Sequence, residues 1–365
     1  MHYQDLSDEI SILLPFKEGF SNKNFGSVSL YVKQINEYSK FLKNIKIYSH
    51  SRYQTFDKFH VEHLPKSISH LFFGKNFGHT KRFIKSLNSK KKPKIIEVHN
   101  RPKSIFQISR FLPMSKKFLF YHNDPLSFGE YSTIKSREEL INICDKICFV
   151  SKYLKERFLK DLSKSQINNK KFQVIYNGIK PRIFHSRPSK KQNIVFIGEL
   201  SQNKGFNFFL EAVEDFCNDF KGWTADIYGK SKSFNHSFIK NPKIHYHGFL
   251  PNDELIKELE KSSICVVPSV WNEPFGRVLL ESINAGVATI TSVNGGLKEI
   301  ADHFKVIKIE NIDKKTIYNA LKKLIMSKNE IIHYSNNKVS SSPFTLKKIS
   351  NKLDSLRKES FEYIN

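Results

Sequence analysis

Short apolar runs rich in β-branched and aromatic residues alternate along the chain with longer stretches in which apolar residues recur at helical spacing. This alternation is typical of β-α-β units, in which helices cover the faces of a parallel sheet. The predicted strands are residues 9–15, 45–49, 94–99, 117–122, 146–150 and 172–176, followed by residues 194–198, 224–228, 264–268, 288–291 and 305–309. The two groups of strands predict two parallel sheets.

A segment without periodicity separates the two groups. Residues 180–192 hold two prolines and many charges, which is typical of a linker. We therefore predict an N-terminal domain over residues 1–184 and a C-terminal domain over residues 185–344. Residues 345–365 begin with leucine and isoleucine at helical spacing and a basic opposite face. They predict a last helix over about 345–359, which either domain could accept.

Composition narrows the class of protein. The 365 residues exceed the roughly 100–200 of one domain, and 39% hydrophobic residues supply enough apolar surface for two cores. A net charge of +25 suits phosphate, nucleic acid or an anionic membrane surface, although a lysine-rich coding bias would produce it too. No apolar run approaches the length of a membrane span, and no secretory signal is visible at the N-terminus.

The four cysteines do not indicate a disulfide framework. They are Cys144, Cys148, Cys217 and Cys265. Cys144 and Cys148 are four positions apart, unlike a Cys-x-x-Cys motif, and no second Cys/His pair at the spacing of zinc ligands follows them. We interpret them as packing residues in a reducing cytoplasm and expect no metal site. Any contact with a membrane would then be peripheral, at the inner face of the cytoplasmic membrane.

Residues 267–286 carry the strongest chemical signal. A predicted buried strand leads into a loop that bears Glu273, and Gly276 begins a helix that ends at Gly286. Backbone amides at the start of such a helix suit a phosphate. Glu273 and Glu281, eight positions apart, could accept hydrogen bonds from separate hydroxyl groups of one ligand. A sugar nucleotide offers both groups.

The run around Glu273 and Glu281 closely resembles the E-x7-E motif of retaining GT-B glycosyltransferases of family 4, also called group 1. Further segments are similar to other motifs of that family or of its members that build lipopolysaccharide core or spore-coat glycans: residues 175–179, 294–299, 97–102 and 121–125. The resemblance implies an α/β protein of the GT-B class, with two Rossmann-like domains whose parallel sheets face each other across a cleft.

The resemblance also implies roles for individual residues. Glu273 would bind hydroxyls of the donor sugar, the amides around Phe275 and Gly276 would hold sugar and phosphate, and Glu281 would bind the ribose. Lys204 would neutralise the leaving diphosphate, which lowers the barrier without a metal. No Asp-x-Asp motif for a metal-bound nucleotide is present. We therefore expect no cofactor, the nucleotide diphosphate sugar being a substrate.

One donor-side position departs from the family. Position 199, where an arginine commonly partners the lysine, is Glu199, and a carboxylate beside a diphosphate is repulsive unless it is paired. Either Glu199 points away toward a surface lysine, or donor chemistry is altered or lost, or another cation replaces the missing one. The candidates for that cation are Lys17, Lys23, Arg101 and Arg277.

Two segments of the first domain are further candidates. The loop in residues 14–27 could bring backbone amides near Gly26 against the diphosphate, or it could be a plain strand-to-helix loop. The resemblance places His122 near the reacting sugar as a positioning residue, without a covalent intermediate, although lone histidines are more often structural. His99 and Asp124 would assist acceptor binding.

Residues 66–94 interleave basic and aromatic side chains. Such a segment could dock on an anionic leaflet, or it could be a core helix with a solvated basic face. A lipid-linked or lipopolysaccharide acceptor would explain the first reading.

The leading hypothesis is a retaining, metal-independent hexosyltransferase of cell-surface polysaccharide or lipopolysaccharide synthesis. It would move glucose or N-acetylglucosamine from a UDP-sugar to a glycan or lipid-linked acceptor, with GDP-mannose as another donor to consider. The alternative is a non-catalytic GT-B protein that binds sugar nucleotide or glycan. A nucleic-acid partner is not expected, because no nucleic-acid-binding motif is present.

Overall fold

The computed structural model describes residues 6–21, 25–50, 56–65, 74–87, 91–167, 170–182, 189–230, 239–326 and 328–362. The chain divides into two compact units. The first comprises Met1–Gly178 together with Leu346–Asn365, and the second comprises Ile179–Thr345. Each unit holds one parallel sheet with helices packed against it.

The first sheet has seven parallel strands: β1 (Leu6–Leu13), β2 (Ile45–Ser49), β3 (His60–His63), β4 (Lys92–His99), β5 (Lys116–Tyr121), β6 (Lys146–Phe149) and β7 (Phe172–Val174). Their order across the sheet is β3-β2-β1-β4-β5-β6-β7. The order reverses between β1 and β4. Parallel sheets of this kind bind ligands outside the carboxyl ends of the strands that flank such a reversal.

The second sheet has six parallel strands: β8 (Asn193–Ile197), β9 (Thr224–Tyr228), β10 (Ile244–Gly248), β11 (Ile264–Val267), β12 (Ala288–Ser292) and β13 (Ile307–Ile309). Their order is β10-β9-β8-β11-β12-β13, so the reversal lies between β8 and β11. Both units therefore have the strand order of a Rossmann-like domain.

Amphipathic helices connect the strands. In the first unit they are α1 (Ser27–Asn36), α2 (Lys75–Ser86), α3 (Pro102–Phe111), α4 (Ile134–Ile143), α5 (Lys152–Leu159) and α6 (Lys164–Ile167). In the second unit they are α7 (Phe206–Asp219), α8 (Asn252–Lys261), α9 (Arg277–Asn284), α10 (Gly296–Ala301), α11 (Lys314–Ile325) and α12 (Lys328–Ser335). The chain ends in α13 (Leu346–Glu362).

Aromatic and branched side chains fill the cores as their periodicity predicts. In α7, Phe206, Phe209 and Phe216 are fully buried and pack with the strands of the second sheet. In the first unit, Tyr121 and Phe149 on neighbouring strands stack with ring centroids 5.7 Å apart. All four cysteines are buried and unpaired, which confirms their interpretation as packing residues.

Each predicted strand has an observed counterpart, with ends that differ by up to three residues. Two strands were missed, β3 and β10, and both lie at an edge of their sheet. The predicted linker lies partly outside the described residues, which resume at position 189. The division after Gly178 precedes the predicted domain boundary, and that boundary stays a prediction.

The last helix belongs to the first unit. Arg357 on α13 is fully buried, and its guanidinium forms two hydrogen bonds with the carboxylate of Glu97 on β4, of 2.8 and 3.0 Å. Asp354 accepts a further hydrogen bond of 3.2 Å from Arg357 and one from Ser39. Arg357 is thus a cation of this helix that is paired inside the core.

The described part of residues 66–94 does not expose aromatic rings. Phe83 on α2 is fully buried and Phe77 is half-buried, while Lys75, Lys81 and Lys85 are exposed. Residues 66–73 and 88–90, which include Leu71, Phe72 and Phe73, lie outside the described residues. Within the described residues the arrangement matches the second reading, because α2 is a core helix with a basic outer face.

No helix in the described ranges combines the length and the apolar character that crossing a bilayer requires.

Candidate functional site

The second unit gathers its charged candidates where the strand order reverses. Lys204 lies in the short turn Gln202–Lys204 that follows β8, and Glu273 lies in the loop that follows β11. Because β8 and β11 are neighbours and parallel, both loops leave the same edge of the sheet. This edge is the expected ligand site of such a sheet.

Lys204 and Glu273 form an ion pair at that edge. The Lys204 ammonium donates a hydrogen bond of 2.6 Å to Oε1 of Glu273. The Ser269 hydroxyl donates to the same oxygen at 2.7 Å. The Glu273 side chain is 12% exposed and the Lys204 side chain 27% exposed, so the pair is largely shielded but open to a ligand. Lys204 also lies 5.1 Å from the ring centroid of Trp271, which is 42% exposed.

Close backbone contact between the two loops brings the pair together. Gly205 has a φ of 68°, and a Cβ at this position would lie 2.0 Å from the carbonyl oxygen of Pro268. Only glycine permits this approach. The carbonyl of Asn203 accepts hydrogen bonds from the amides of Val270 and Trp271, of 2.9 and 3.1 Å. The turn after β8 is thereby held against the loop after β11.

A glycine turn supports Glu273 from the other side. The Glu273 carbonyl accepts a hydrogen bond of 2.7 Å from the amide of Gly296. Gly295 has a φ of 63°, and a Cβ there would lie 2.5 Å from the same carbonyl oxygen. The predicted motif at residues 294–299 therefore packs directly behind Glu273.

Glu281 lies on α9, whereas Glu273 lies in the loop before it. Because α9 begins at Arg277, only the second half of the segment between the two glutamates is helical. Glu281 is 8% exposed and accepts a hydrogen bond of 3.1 Å from Arg277, one turn earlier on the helix. Burial raises the pKa of Glu281, and the charge of Arg277 opposes that shift. Gly276 precedes α9 with a φ of 107°, and the Phe275 side chain is buried against Phe344.

The next residues to consider are Glu199 and the four cations that could replace the missing arginine. Glu199 is exposed directly after β8 and Lys17 is exposed in the first unit. Arg277 is engaged with Glu281, and Arg101 donates to the side chain of Asn76 at 3.0 Å. The fourth candidate cation, Lys23, lies outside the described residues.

In the first unit, two histidines at neighbouring strand ends form a pair. Nδ1 of His99, at the end of β4, lies 2.9 Å from Nε2 of His122, which follows β5. Burial lowers the pKa of His122 to about 3, and burial together with His122 lowers that of His99 well below its usual value. Both rings are therefore neutral at neutral pH. The ring of Tyr31 meets that of His122 edge-on at 4.7 Å.

Hydrogen bonding indicates which nitrogen of each ring carries the proton. Nε2 of His99 is buried and has no hydrogen-bond partner among the described residues. An orphaned acceptor is less unusual than an orphaned N–H, which favours a proton on Nδ1 of His99, donated to Nε2 of His122. Nδ1 of His122 then carries the proton that a ligand could accept.

Asn100 and Asp124, which lie close to the histidine pair in the sequence, form hydrogen bonds within the protein. Asn100 has a φ of 53°, which asparagine tolerates, and its side-chain oxygen accepts from the amide of His122 at 2.7 Å. Asp124 accepts from Arg157 at 2.8 Å and from the amide of Leu126 at 2.9 Å. The carboxylate of Asp124 is thus already bound on both oxygens.

The helix start near Gly26 already receives an anion. Oε2 of Glu18 accepts hydrogen bonds from the amide and the hydroxyl of Ser29, of 3.2 and 2.9 Å, in the first turn of α1. A Cβ at Gly26 would lie 2.3 Å from the same carboxylate. The glycine therefore makes room for Glu18 at the position predicted for a diphosphate.

Three contributors were missed by sequence reasoning: Ser269, Asn203 and Asn100. Ser269 lies within residues 267–286, but nothing in the sequence shows that its hydroxyl binds the carboxylate of Glu273, four residues further on. Asn203 acts through its backbone carbonyl, which no side-chain pattern reveals. Asn100 lies in the motif at residues 97–102, and an asparagine directly after a predicted strand, where it can adopt the left-handed conformation, is the signal that could have identified it.

Comparison with known proteins finds a family model that matches much of the second unit. Residues 180–338 match the family model described as glycosyl transferases group 1. Over 312 residues the chain is 22% identical to YtcC of Bacillus subtilis (strain 168), whose name describes a glycosyltransferase; the match covers 76% of this chain and 73% of the relative. It is 24% identical to spore coat protein SA of the same strain, over 58% of this chain and 63% of that relative, which is less than two thirds of its length.

Solved structures extend the similarity to both units. Sucrose-phosphate synthase from Thermosynechococcus elongatus matches 97% of this chain and 100% of its own, with a TM-score of 0.73 at 14% identity. HepE of Anabaena, solved with UDP-glucose, matches 97% and 100% with a TM-score of 0.69 at 14% identity. WaaG, titled a glycosyltransferase involved in lipopolysaccharide biosynthesis, matches 95% and 99% with a TM-score of 0.65 at 16% identity. The predicted fold class, α/β with two Rossmann-like domains of the GT-B type, is confirmed.

Proposed function

We propose that this chain, which carries a glycosyl transferases group 1 domain, is a retaining glycosyltransferase that takes its sugar from a nucleotide diphosphate sugar. The observation that carries the proposal is the ion pair of Lys204 and Glu273 where the strand order of the second sheet reverses. A cation for a diphosphate and a carboxylate for sugar hydroxyls meet there at 2.6 Å.

The two charges suit opposite sides of one glycosidic bond. The Lys204 ammonium has three N–H donors, and Glu273 accepts only one of them, so others can reach a phosphate oxygen while the pair persists. Glu273 keeps a second carboxylate oxygen for hydroxyls of the sugar, because Lys204 and Ser269 both use Oε1. Donor binding would therefore add to the existing contacts.

We propose the following step for the reaction. The bond between the anomeric carbon and the diphosphate oxygen breaks, and the developing negative charge on that oxygen is stabilised by the fixed cation of Lys204. The acceptor hydroxyl attacks the anomeric carbon from the same face and passes its proton to the departing phosphate oxygen. The product keeps the anomeric configuration of the donor, and no protein nucleophile or metal ion takes part in the step.

Glu281 serves the nucleoside end in this proposal. It is buried beside Arg277, so a ribose hydroxyl that donates to it replaces lost hydration. A carboxylate whose pKa burial raises gains from each such donor.

His122 is a positioning residue in this proposal. Its neutral ring can donate a hydrogen bond from Nδ1 to a sugar hydroxyl while Nε2 is held by His99. A ring with a pKa of about 3 is a poor general base near neutral pH, because it binds a proton too weakly to remove one from a hydroxyl. Positioning is therefore better supported than proton transfer.

For the substrates, we propose UDP-glucose or UDP-N-acetylglucosamine as donor and a glycan or lipid-linked sugar as acceptor. Support comes from the HepE complex with UDP-glucose and from the names of similar proteins, which connect them to the spore coat and to lipopolysaccharide biosynthesis. The basic outer face of α2 is compatible with an anionic acceptor.

A second candidate is a protein that binds sugar nucleotide without transferring the sugar. Glu199 favours it, since this exposed carboxylate stands where related enzymes commonly place a second cation. The two candidates share the binding step and differ in turnover.

A donor panel separates them. UDP-, GDP- and ADP-sugars are tested with the full chain for binding by calorimetry and for slow hydrolysis by release of the nucleotide diphosphate. The transferase is expected to turn over one donor selectively. Binding of a donor without hydrolysis, together with no transfer to lipopolysaccharide or glycan extracts, would support the second candidate. Binding of no donor would contradict both.

A further inference from the structure

Two histidines alternate on the edge strand β10 and meet an aspartate on its neighbour. His245 and His247 are two positions apart, so their side chains leave the same face of the sheet. The register pairs His245 with Asp226 on β9. Oδ1 of Asp226 lies 2.7 Å from Nε2 of His247 and 3.4 Å from Nδ1 of His245. The three atoms all lie within 4.8 Å of one another.

The aspartate is fixed from behind. Asp226 is 8% exposed, and its Oδ2 accepts a hydrogen bond of 2.6 Å from the side-chain amide of Asn193 on β8. Asn193 is itself buried and also bonds to Ser262 and to the amide of Ser263. The carboxylate therefore turns Oδ1 toward the histidines, in the way that outer-shell partners orient the ligands of metal ions.

The histidines are held less tightly and remain accessible. The ring of His247 stacks on Tyr228 with centroids 4.7 Å apart and planes 13° apart. Both histidine side chains are more than one third exposed, at 47% and 39%. An ion could reach the cluster from solvent and keep water in its remaining positions.

We propose that Asp226, His245 and His247 bind one divalent transition-metal ion, with Zn²⁺ as the best match. Two imidazoles and one carboxylate form a ligand set that Zn²⁺ accepts, whereas Mg²⁺ and Ca²⁺ prefer oxygen ligands only. Ligands about 2.0 Å from a tetrahedral ion lie about 3.3 Å apart. The distance from Asp226 to His245 already has this value, and that to His247 must open by roughly 0.6 Å.

The location indicates a structural role. β10 is the edge strand, and the register between β9 and β10 shifts between Tyr246 and Gly248, directly beside His247. An ion held by one ligand on β9 and two on β10 would fix this irregular pairing. β8 and β11, whose loops carry Lys204 and Glu273, lie further into the sheet. The ion is thus separate from the proposed transfer step.

The test uses the full chain freed of metal with a chelator and dialysed. Zn²⁺ binding is measured by calorimetry, and Co²⁺ binding by its visible absorption, which reports the ligand geometry. We expect saturation at one ion per chain and a higher melting temperature with Zn²⁺, since an ion that binds only the folded state stabilises it.

Variants assign the site. His247→Ala and the nearly isosteric Asp226→Asn should weaken Zn²⁺ binding at least 100-fold, and Asn193→Ala should weaken it about 10- to 100-fold through the orientation of Asp226. His303→Ala is the matched control, because His303 is an exposed histidine of the same unit that lies outside the cluster; its Nδ1 hydrogen-bonds to the carbonyl of Glu299 and its ring packs edge-on against Phe344. Circular dichroism tests whether each variant is folded. If an alanine variant does not fold, the nearly isosteric Asp226→Asn still tests the site.

Two results would overturn the proposal. The first is no saturable binding of Zn²⁺ or Co²⁺ to the folded wild type, in which case the three side chains are joined by hydrogen bonds alone. The second is binding that persists unchanged in both His247→Ala and Asp226→Asn, which would place the ion elsewhere.

Discussion

The ammonium of Lys204 lies 2.6 Å from Oε1 of Glu273, although 69 positions separate the two residues. The contact exists because Gly205 lets the turn after β8 approach Pro268, and because the carbonyl of Asn203 binds two amides of the loop after β11. The pair is therefore part of the fold before any donor arrives. Its charges are placed in advance, which is the condition under which electrostatic stabilisation of a leaving group is most effective.

Replacing Lys204 by methionine should lower kcat on the order of 100-fold, which corresponds to about 3 kcal/mol of lost leaving-group stabilisation. KM should change less, because the sugar and nucleoside contacts remain. Lys204→Arg should recover part of the loss by restoring the charge. Lys221→Ala, at an exposed position of the same unit, is the control for general effects of charge. An unchanged kcat in Lys204→Met would remove this residue from the mechanism.

The two glutamates should differ in what they bind. Glu281→Ala should weaken UDP itself at least tenfold, because a buried acceptor for the ribose is lost. Glu273→Ala should leave UDP affinity within about twofold and lower transfer on the order of 100-fold, because only the sugar contact is lost. Calorimetry with UDP and initial-rate kinetics measure the two quantities. Equal losses of UDP affinity in both variants would refute the division.

The histidine pair predicts a pH dependence of stability. Because the folded-state pKa of His122 is about 3, below the usual 6.5, the unfolded state binds more protons in that interval. The stabilisation is present above about pH 6.5 and is lost as the pH falls toward about 3, with a slope of at most about 1.4 kcal/mol per pH unit for one histidine. The free energy of unfolding, measured with urea at a series of pH values, should depend less steeply on pH for His122→Gln than for the wild type.

His303→Gln serves as the control for that experiment, since His303 is exposed. Its slope should match that of the wild type. If His122→Gln also retained the wild-type slope, the ring of His122 would have to titrate near its ordinary pKa.

The buried pair of Arg357 and Glu97 predicts that the last helix stabilises the first unit. Arg357→Met leaves the Glu97 carboxylate buried without its cation and should lower the free energy of unfolding by about 3–5 kcal/mol. The double variant Glu97→Gln with Arg357→Met should recover part of the loss, because position 97 then carries no unpaired charge; Asp354 still loses its contact with Arg357. Lys358→Ala, on the exposed side of the same helix, should have little effect.

Transfer should survive treatment with a chelator. The proposed step uses Lys204 in place of a metal ion, and the proposed Zn²⁺ site lies at the edge strand of the second sheet. Rates are compared with and without EDTA below the melting temperature of the metal-free protein, with circular dichroism as the check on folding. Loss of activity from folded protein, restored by Mg²⁺ or Mn²⁺, would contradict the metal-free step.

Much of the fold could be predicted because the inner strands contain short apolar runs. β5 and β11 are almost wholly buried, so both faces of each strand select hydrophobic residues. β3 and β10 were missed because they are edge strands that read His-Val-Glu-His and Ile-His-Tyr-His-Gly. Their outward positions are polar, and no apolar run marks them.

The site could be predicted in its residues but not in their partners. The motif around Glu273 identified the loop, yet its pairing with Lys204 and Ser269 depends on glycine-permitted approaches between distant loops. Arg357 likewise reads as one more cation on a basic helix, and only the burial of Glu97 shows its task. Near Gly26, an internal carboxylate occupies the position that the loop pattern predicts for a diphosphate.

The stereochemistry of sugar release tests the central claim most directly. The full chain is incubated with the donor selected from the panel, and the anomeric signals of the product are followed by proton NMR before they equilibrate, with Glu273→Ala in parallel. The account predicts that an α-linked donor yields the α product first and that the Glu273→Ala variant forms almost none. A β product, or undiminished turnover in that variant, would contradict it.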